Sequence, residues 1–484
     1  MEGVRRSLGR WEGVALAAIL LVATALRFVA LGHDSIWSDE AVVLSLAHQD
    51  GPAALLRHLQ VVDATRAPLH PLLLQGWIAV FGTSESAARA LSAACGVATV
   101  ALVYLLGRQT YGGTVGLWAA WLIAISPIDV YHAREVRMYA LLVLATCTCW
   151  ALLFSFRRSA PISKQVAFAL ALIALVYTHP LGGLMVLALG VGYLATRPES
   201  RLSGRRWVLI HIALSLALLP WIARYLDHPP ETLNARLTPW HVLEWPEMFT
   251  GGRAEAVWAG AAVIAWGLWA RRVGDRPEVA SQRVDLALLA WFFLPVGLLL
   301  AYSLLRHPVF GPRRYLLYVG PAYLLLMARG LAALPRTPRY ALALVGAVVA
   351  GSVMGPRVFR IGRPDWRGAA ALIRQHDPQA PILIIDRDRP TQRACLAYYL
   401  DPSARLIPAL RHVEELATSA QRPEPSAWQV IEMHKGKALW PVPEPLERLY
   451  VAEREWHLRS LRLVYTRLRT ATTAQTGRLG ASRR

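Results

Sequence analysis

Residues 13–41 read GVALAAILLVATALRFVALGHDSIWSDEA. The stretch from Gly13 to Leu31 is long and apolar enough to cross a bilayer as a helix. Arg5, Arg6 and Arg10 precede it, so the positive-inside rule keeps the N-terminus in the cytoplasm. The acidic pair Asp39-Glu40 then emerges on the far side, at the membrane surface. The run exceeds the hydrophobic core of a signal peptide, and no small-residue cleavage site precedes His33, so it reads as a retained first span.

Further apolar runs cover about 87–106, 114–130, 138–156, 165–178, 180–196, 207–226, 256–270, 286–305, 314–333 and 339–354, which makes about eleven spans. Four basic clusters fall in the loops that this topology places inside: Arg157-Arg158-Lys164, Arg197 to Arg206, Arg271 to Arg283, and Arg329 to Arg339. An odd number of spans puts the C-terminus outside. The expected architecture is a polytopic α-helical membrane protein of residues 1–354, N-in and C-out, in the cell inner (plasma) membrane. A small extracytoplasmic α/β domain follows at 355–484. There a helix is expected over Asp365–Ile373, a buried strand over Pro381–Asp386 and a helix over Thr391–Leu400. Strands are expected near Trp428–Met433 and Leu461–Thr466. Seven arginines follow the last acid, Glu455, and read as a solvated tail or one lying on anionic lipid.

The composition agrees with that division. Of 484 residues, 55% are hydrophobic and 17% charged, too apolar for an ordinary soluble protein and too charged for spans alone. The formal charge of +20 does not call for nucleic acid, because the cations sit in short loops where they set topology. The four cysteines, Cys95, Cys147, Cys149 and Cys395, show no CxxC or metal spacing and read as small packing residues.

Function should lie in the outer loops, about 32–86, 126–138 and 227–255. Asp39-Glu40 opens a segment, Ala41 to Leu46, that reads as an amphipathic surface helix. Two readings stand side by side. Ser38 caps the helix and the acids suit its dipole, or one carboxylate is a general base near lipid. Arg66 precedes Pro68-Leu69-His70-Pro71, a stiffened re-entry toward the membrane where a cation could hold phosphate. The loop at 126–139 concentrates charge, with Glu135 and Tyr139 four apart on one face. Arg134 and Arg137 there are not needed by topology; an anionic ligand or the acids of the first loop would explain them. His179 marks a third outer turn and reads as structural or as a ligand contact. Arg313 and Arg314 lie at an outer helix end, as snorkelling side chains or as a phosphate clamp, and Arg27 could snorkel likewise. Trp240, Trp245 and Phe249 read as an interfacial aromatic belt.

These stretches occur in a suggestive order: LRFVALGHDSIWSDEA, RAPLHPLLL, GTSESAARALSA, SPIDVYHAREVRMYALL, YTHPLGGL and GPRRYLLYVGPAYLLLMARGL. Over about 11–354 the set resembles the GT-C membrane glycosyltransferases, in the bacterial branch related to protein O-mannosyltransferases and aminoarabinose transferases. The resemblance implies a polyprenyl-phosphate-linked sugar donor, transfer outside the cytoplasm and inversion at the anomeric carbon. Asp39 matches the first acid of the family's Asp-Glu motif, its catalytic base, and Glu40 the second. Arg66 stands where aminoarabinose transferases carry a Lys before Pro-Pro-Leu. Ala67 replaces the first of those prolines and His70 an aromatic residue, so acceptor specificity does not carry over. Glu135, Arg137 and Tyr139 match a recurring E-x-R-x-Y element.

The residue types suit that reaction. A carboxylate takes the proton of an acceptor hydroxyl, and arginines hold a phosphate leaving group that needs no proton donor. The expected partners are the lipid-linked donor, an acceptor glycan, lipid or protein, and membrane lipid. No cofactor is required, although a divalent cation near Asp39, Glu40 and Glu135 is compatible with the pattern. A lipid-linked sugar flippase and a non-catalytic subunit of an envelope assembly complex are the rival readings. Charges gathered at the outer face rather than at mid-membrane favour the enzyme.

Overall fold

The computed structural model describes residues 9–63, 67–227, 247, 254–273, 279–306, 313–359, 363–385, 390–401, 403–409, 424–434, 437–440 and 442–469. Arg66, the side chain of Arg313, the aromatic group Trp240, Trp245 and Phe249, and the arginines beyond 469 lie outside the described residues.

The chain divides into two compact units: Met1–Leu31 with Leu46–Arg360, and Gly32–Ser45 with Ile361–Arg484. The segment that carries the acidic pair therefore groups with the C-terminal part and not with the helical part. In the first unit every apolar run found in the sequence is helical. The helices are α1 Arg10–Phe28, α3 Gly51–Asp63, α4 Leu69–Phe81, α5 Glu85–Tyr111, α6 Gly113–Ala124, α7 Pro127–Ala133, α8 Tyr139–Ser155, α9 Ile162–Thr178 and α10 Gly182–Thr196. They continue as α11 Gly204–Asp227, α12 Ala254–Val273, α13 Val279–Leu305, α14 Gly320–Ala333 and α15 Arg336–Val358, while α2, Ser38–Ala47, joins the two units in sequence. Among the described residues five helices are long and apolar enough to span a membrane, or six if α6 and α7 form one broken span.

Two expected spans differ from straight helices. The run 114–130 breaks between α6 and α7 with a bend of 62°. Its interruption is local, because Pro127 cannot donate to the preceding turn. The run 314–333 begins as a 3-10 helix, Arg313–Val319, before α14. Outward faces stay apolar: Leu21 on α1, Leu170 on α9, Leu194 on α10, Leu216 on α11 and Leu344 on α15 are all exposed, as a lipid-facing surface requires.

Inside the bundle, Trp150 of α8 stacks on Trp291 of α13 with centroids 4.9 Å apart. The α5–α6 crossing depends on glycine. A Cβ on Gly107 would fall 2.7 Å from the backbone of Gly116, so the two helices touch through their main chains.

The second unit is built on a sheet with strand order β2-β1-β3-β6-β5, from β1 Ile382–Ile385, β2 Leu406–Pro408, β3 Ser426–His434, β5 Tyr450–Leu458 and β6 Leu461–Leu468; β4, Lys437–Ala438, pairs with β3. β1 runs parallel to β2 and β3, whereas β6 is antiparallel to both β3 and β5. Strand β1 is buried along its whole length, as its continuous Ile-Leu-Ile-Ile run predicts. Among the described residues of this unit the helices are α16 Trp366–His376, α17 Pro390–Ala397 and α18 Glu444–Leu449. Several of the supposed tail arginines are strand residues with acidic partners. Arg462 donates to Glu455 through Nε and Nη2 at 2.6 and 2.8 Å, and Arg467 pairs with Glu453 at 2.8 Å.

Candidate active site

Residues 32–45 are clasped by their own unit. The Arg459 guanidinium reaches Asp34 at 3.1 Å, Arg367 donates to the Gly32 carbonyl at 2.9 Å, and the Tyr399 hydroxyl accepts from the Ile36 amide at 2.7 Å. Glu40 is fully buried and pairs with Arg363 at 3.0 Å, itself only 7% exposed. The Arg363 guanidinium also lies 5.4 Å from the Trp37 ring centroid. A carboxylate this deep requires a charged partner, since an unpaired buried charge costs several kcal/mol. Sequence reasoning did not single out Arg363; the GRPDW stretch after the last span is its only local signal.

The helix that follows differs from expectation in two ways. Ala41, Val42, Val43, Leu44, Leu46 and Ala47 are all buried, so α2 is apolar on every side and not amphipathic. Ser38 is its first residue rather than its cap. The Trp37 amide instead donates to the Glu40 carboxylate at 3.4 Å, half of a capping box. Asp39, half-buried in the same first turn, is thus held by a helix start that Glu40 fixes.

The first unit carries its own cluster of candidate residues, built around the α6–α7 break. Ending α6 exposes its last carbonyls, and Arg27 satisfies them, donating to Ala124 at 3.0 Å and Ile123 at 3.1 Å. Gly96 makes room for it: a Cβ there would lie 2.7 Å from the guanidinium. Arg27 is 1% exposed, so it does not snorkel. Arg134 does the same for α1, with donors to the Val29, Leu26, Arg27 and Ala30 carbonyls at 2.8–3.2 Å. Its role is to end a helix.

Beyond α7 the chain turns sharply. The Arg137 amide donates to the Glu135 carbonyl at 2.8 Å, and the Ser92 hydroxyl of α5 donates to the Arg137 carbonyl at 3.2 Å. This turn buries Glu135 and Arg137 together with His132, whose Nδ1 lies 2.9 Å from the Glu135 carboxylate. A row of rings crosses the same end of the bundle: His132 to Tyr139 at 5.1 Å, Tyr139 to His179 at 6.2 Å, and His179 to Tyr315 at 5.8 Å. The Arg137 guanidinium lies 5.6 Å from the Tyr139 centroid. The structure therefore brings together Glu135, Arg137, Tyr139, His179 and Arg314 from three stretches far apart in sequence. His70, at the start of α4, joins them within electrostatic range of Arg137. His132, Ser92 and Tyr315 are additional members. The sequence did not single out His132; its place three residues before Glu135 is the only local signal.

The electrostatics follow from this concentration of cations. Burial, reinforced by Arg137 and Arg314, lowers His179 to about 3, and burial with Arg137 lowers His70 to about 3. Both rings are neutral. The His179 Nδ1 accepts from the Leu181 amide at 3.1 Å, which leaves its proton on Nε2. The His70 Nε2 is buried and meets no hydrogen-bond partner among the described residues. Buried neutral rings predict a pH response. The unfolded chain binds more protons than the folded one below about 6.5, so stability falls as pH drops from neutrality, by about 2 kcal/mol per ring at pH 5. Thermal unfolding in detergent between pH 7 and 5 should show this fall, and His179→Gln should lessen it; an equal fall in the variant would remove His179 as a source.

Chemically, the cluster offers guanidinium groups and ring donors, buried at Arg137, Tyr139 and His179 and half-buried at Arg314 and Tyr315, at one end of an apolar bundle, a setting that suits a phosphate. Among the described residues no group of three or more His, Cys, Asp or Glu side chains is gathered as for a metal ion.

Residues 65–223 match the family model described as dolichyl-phosphate-mannose-protein mannosyltransferase. A search of curated protein sequences gave no match. Among solved structures, ArnT from Cupriavidus metallidurans in the apo state superposes with a TM-score of 0.61 at 14% identity, covering 94% of this chain and 97% of that one. The same protein bound to undecaprenyl phosphate gives 0.60 at 14% identity, over 94% and 98%. The Archaeoglobus fulgidus oligosaccharyltransferase in the apo form gives 0.53 at 12% identity, over 81% of this chain and 65% of that one. With several helices long and apolar enough to cross a membrane, the chain is a multi-pass membrane protein whose fold resembles that of ArnT and whose residues 65–223 resemble the mannosyltransferase family.

Proposed function

We propose that the protein is a glycosyltransferase of the cell inner membrane that moves a sugar from a polyprenyl-phosphate-linked donor to an acceptor hydroxyl on the outer face. The observation that carries the reading is the convergence of Arg137, Arg314, Tyr139 and His179 at one end of an apolar bundle. A solved structure of the same fold is bound to undecaprenyl phosphate.

In this reading Asp39 accepts the acceptor's hydroxyl proton as the acceptor oxygen attacks the anomeric carbon. The bond from that carbon to the donor phosphate breaks, and its electron pair leaves with the phosphate. One displacement inverts the configuration, through an oxocarbenium-like transition state. Arg137 and Arg314, with Arg66 and Arg313, take the charge that grows on the leaving phosphate. Glu40, held by Arg363, fixes the helix start on which Asp39 sits. Neutral His70 and His179 donate hydrogen bonds without adding charge. The reaction needs no cofactor, because the donor carries its own leaving group. In this reading the active end and the C-terminal α/β domain lie outside the cytoplasm, and the basic clusters of the loops assigned to the inside support it.

Mass spectrometry of envelope glycans and lipid-linked sugars, with and without the protein, tests this. The expected result is loss of one sugar from an envelope acceptor and accumulation of its polyprenyl phosphate form. Unchanged glycans and lipid-linked sugars would contradict it.

A further inference from the structure

The other end of the bundle holds a second feature that transfer does not use. Helix α8 runs from Tyr139 in the candidate active site to Ser155, a span of 17 residues, or about 25 Å. Around its Ser155 end, α5, α8 and α9 enclose a cavity of about 820 Å³. Arg157, Arg158 and Lys164 line it together with a single acid, Glu199. Glu199 is already engaged by Arg157 at 2.5 Å and by Arg283 at 3.4 Å. Lys164 donates to the Ser159 hydroxyl at 2.8 Å, a neutral partner. Arg158 is exposed, and its guanidinium has no acidic partner among the described residues. The cavity is therefore short of negative charge.

Two further observations narrow the ligand. The Gln109 side-chain oxygen, on the cavity wall, is buried and has no hydrogen-bond partner among the described residues. A ligand that brings a hydroxyl donor would satisfy it, whereas a bare phosphate would not. The remaining wall includes Leu102 and Leu152, and α9 turns Val166 and Leu170 outward, so the cavity adjoins apolar surface suited to acyl chains. Basic pockets between spanning helices recur as sites for anionic lipid headgroups.

We propose that this cavity binds an anionic phospholipid with a hydroxyl-bearing headgroup, of the phosphatidylglycerol class. Its phosphodiester sits between Arg158 and Lys164, a headgroup hydroxyl donates to Gln109, and an acyl chain lies along Leu152. The inference stands on the helical unit alone and does not depend on the proposed reaction.

Native mass spectrometry of the full chain in detergent tests it, with phosphatidylglycerol, phosphatidic acid, phosphatidylcholine and glycerol phosphate as probes. Phosphatidylglycerol should remain bound at least tenfold more than phosphatidylcholine, and the double variant Arg158→Gln/Lys164→Gln should lose that margin. Gln109→Leu should lower the preference for phosphatidylglycerol over phosphatidic acid severalfold. Should the double variant not fold, Arg158→Gln alone, at an exposed position, carries the comparison. Equal binding of phosphatidylcholine, full retention by the charge variants, an unchanged preference in Gln109→Leu, or glycerol phosphate binding as tightly as the lipid would overturn the proposal.

Discussion

Asp39→Asn is expected to lower sugar transfer by about 10²–10⁴-fold, the range that a lost general base costs. The substitution keeps the size and one acceptor oxygen of the side chain, and Asp39 is half-buried in a helix first turn that Glu40 and Arg363 hold. Expression, thermal unfolding and retention of lipid phosphate should therefore stay at wild-type levels. Such a split between chemistry and binding is the mark of a group that acts on the acceptor proton. Transfer near wild type in membranes supplied with donor would end the assignment of Asp39.

The second large effect concerns the partner of Glu40. Arg363→Ala leaves a fully buried carboxylate without its guanidinium, and breaking such a pair typically costs about 3–5 kcal/mol. The expected result is loss of both transfer and thermal stability, with residues 32–45 becoming open to proteolysis. Removing both charges, as Glu40→Gln with Arg363→Met, should recover most of the stability, because a neutral pair of similar volume carries no desolvation penalty. A purely catalytic Glu40 predicts the opposite pattern: intact stability in Arg363→Ala and no rescue by the double change. Thermal unfolding of wild type, Glu40→Gln, Arg363→Met and the double variant, as a double-mutant cycle beside Arg363→Ala, separates the two.

The helices were legible because spans declare themselves by length and apolarity alone; α5, α8 and α9 fall within a few residues of the runs that predict them. The strands β1 and β3 were legible for the same reason, being buried apolar runs. Strand β5 was not. Its sequence YVAEREWHL leaves most side chains exposed at a sheet edge, so no buried pattern marks it, and only pairing with β6 defines it. The roles of the arginines were the least legible part. Arg27 and Arg134 looked like membrane-surface or ligand cations, yet each satisfies carbonyls about a hundred residues away in sequence. Arg137 and Arg314, of the same type and similar surroundings, converge on His179 instead. Nothing local separates these pairs, because the distinction lies in which helix ends the fold brings beside them. The Glu40–Arg363 pair is hidden in the same way, by a sequence separation of 323.

The central claim is that a sugar leaves a lipid phosphate, and one measurement addresses it directly. The purified full chain is reconstituted in liposomes with a lipid extract whose sugars are radiolabelled, together with an envelope fraction as acceptor. The account predicts free polyprenyl phosphate in a one-to-one ratio with label gained by the acceptor, and neither product with Asp39→Asn. Labelled lipid that changes leaflets with its sugar still attached would contradict the account and identify a flippase.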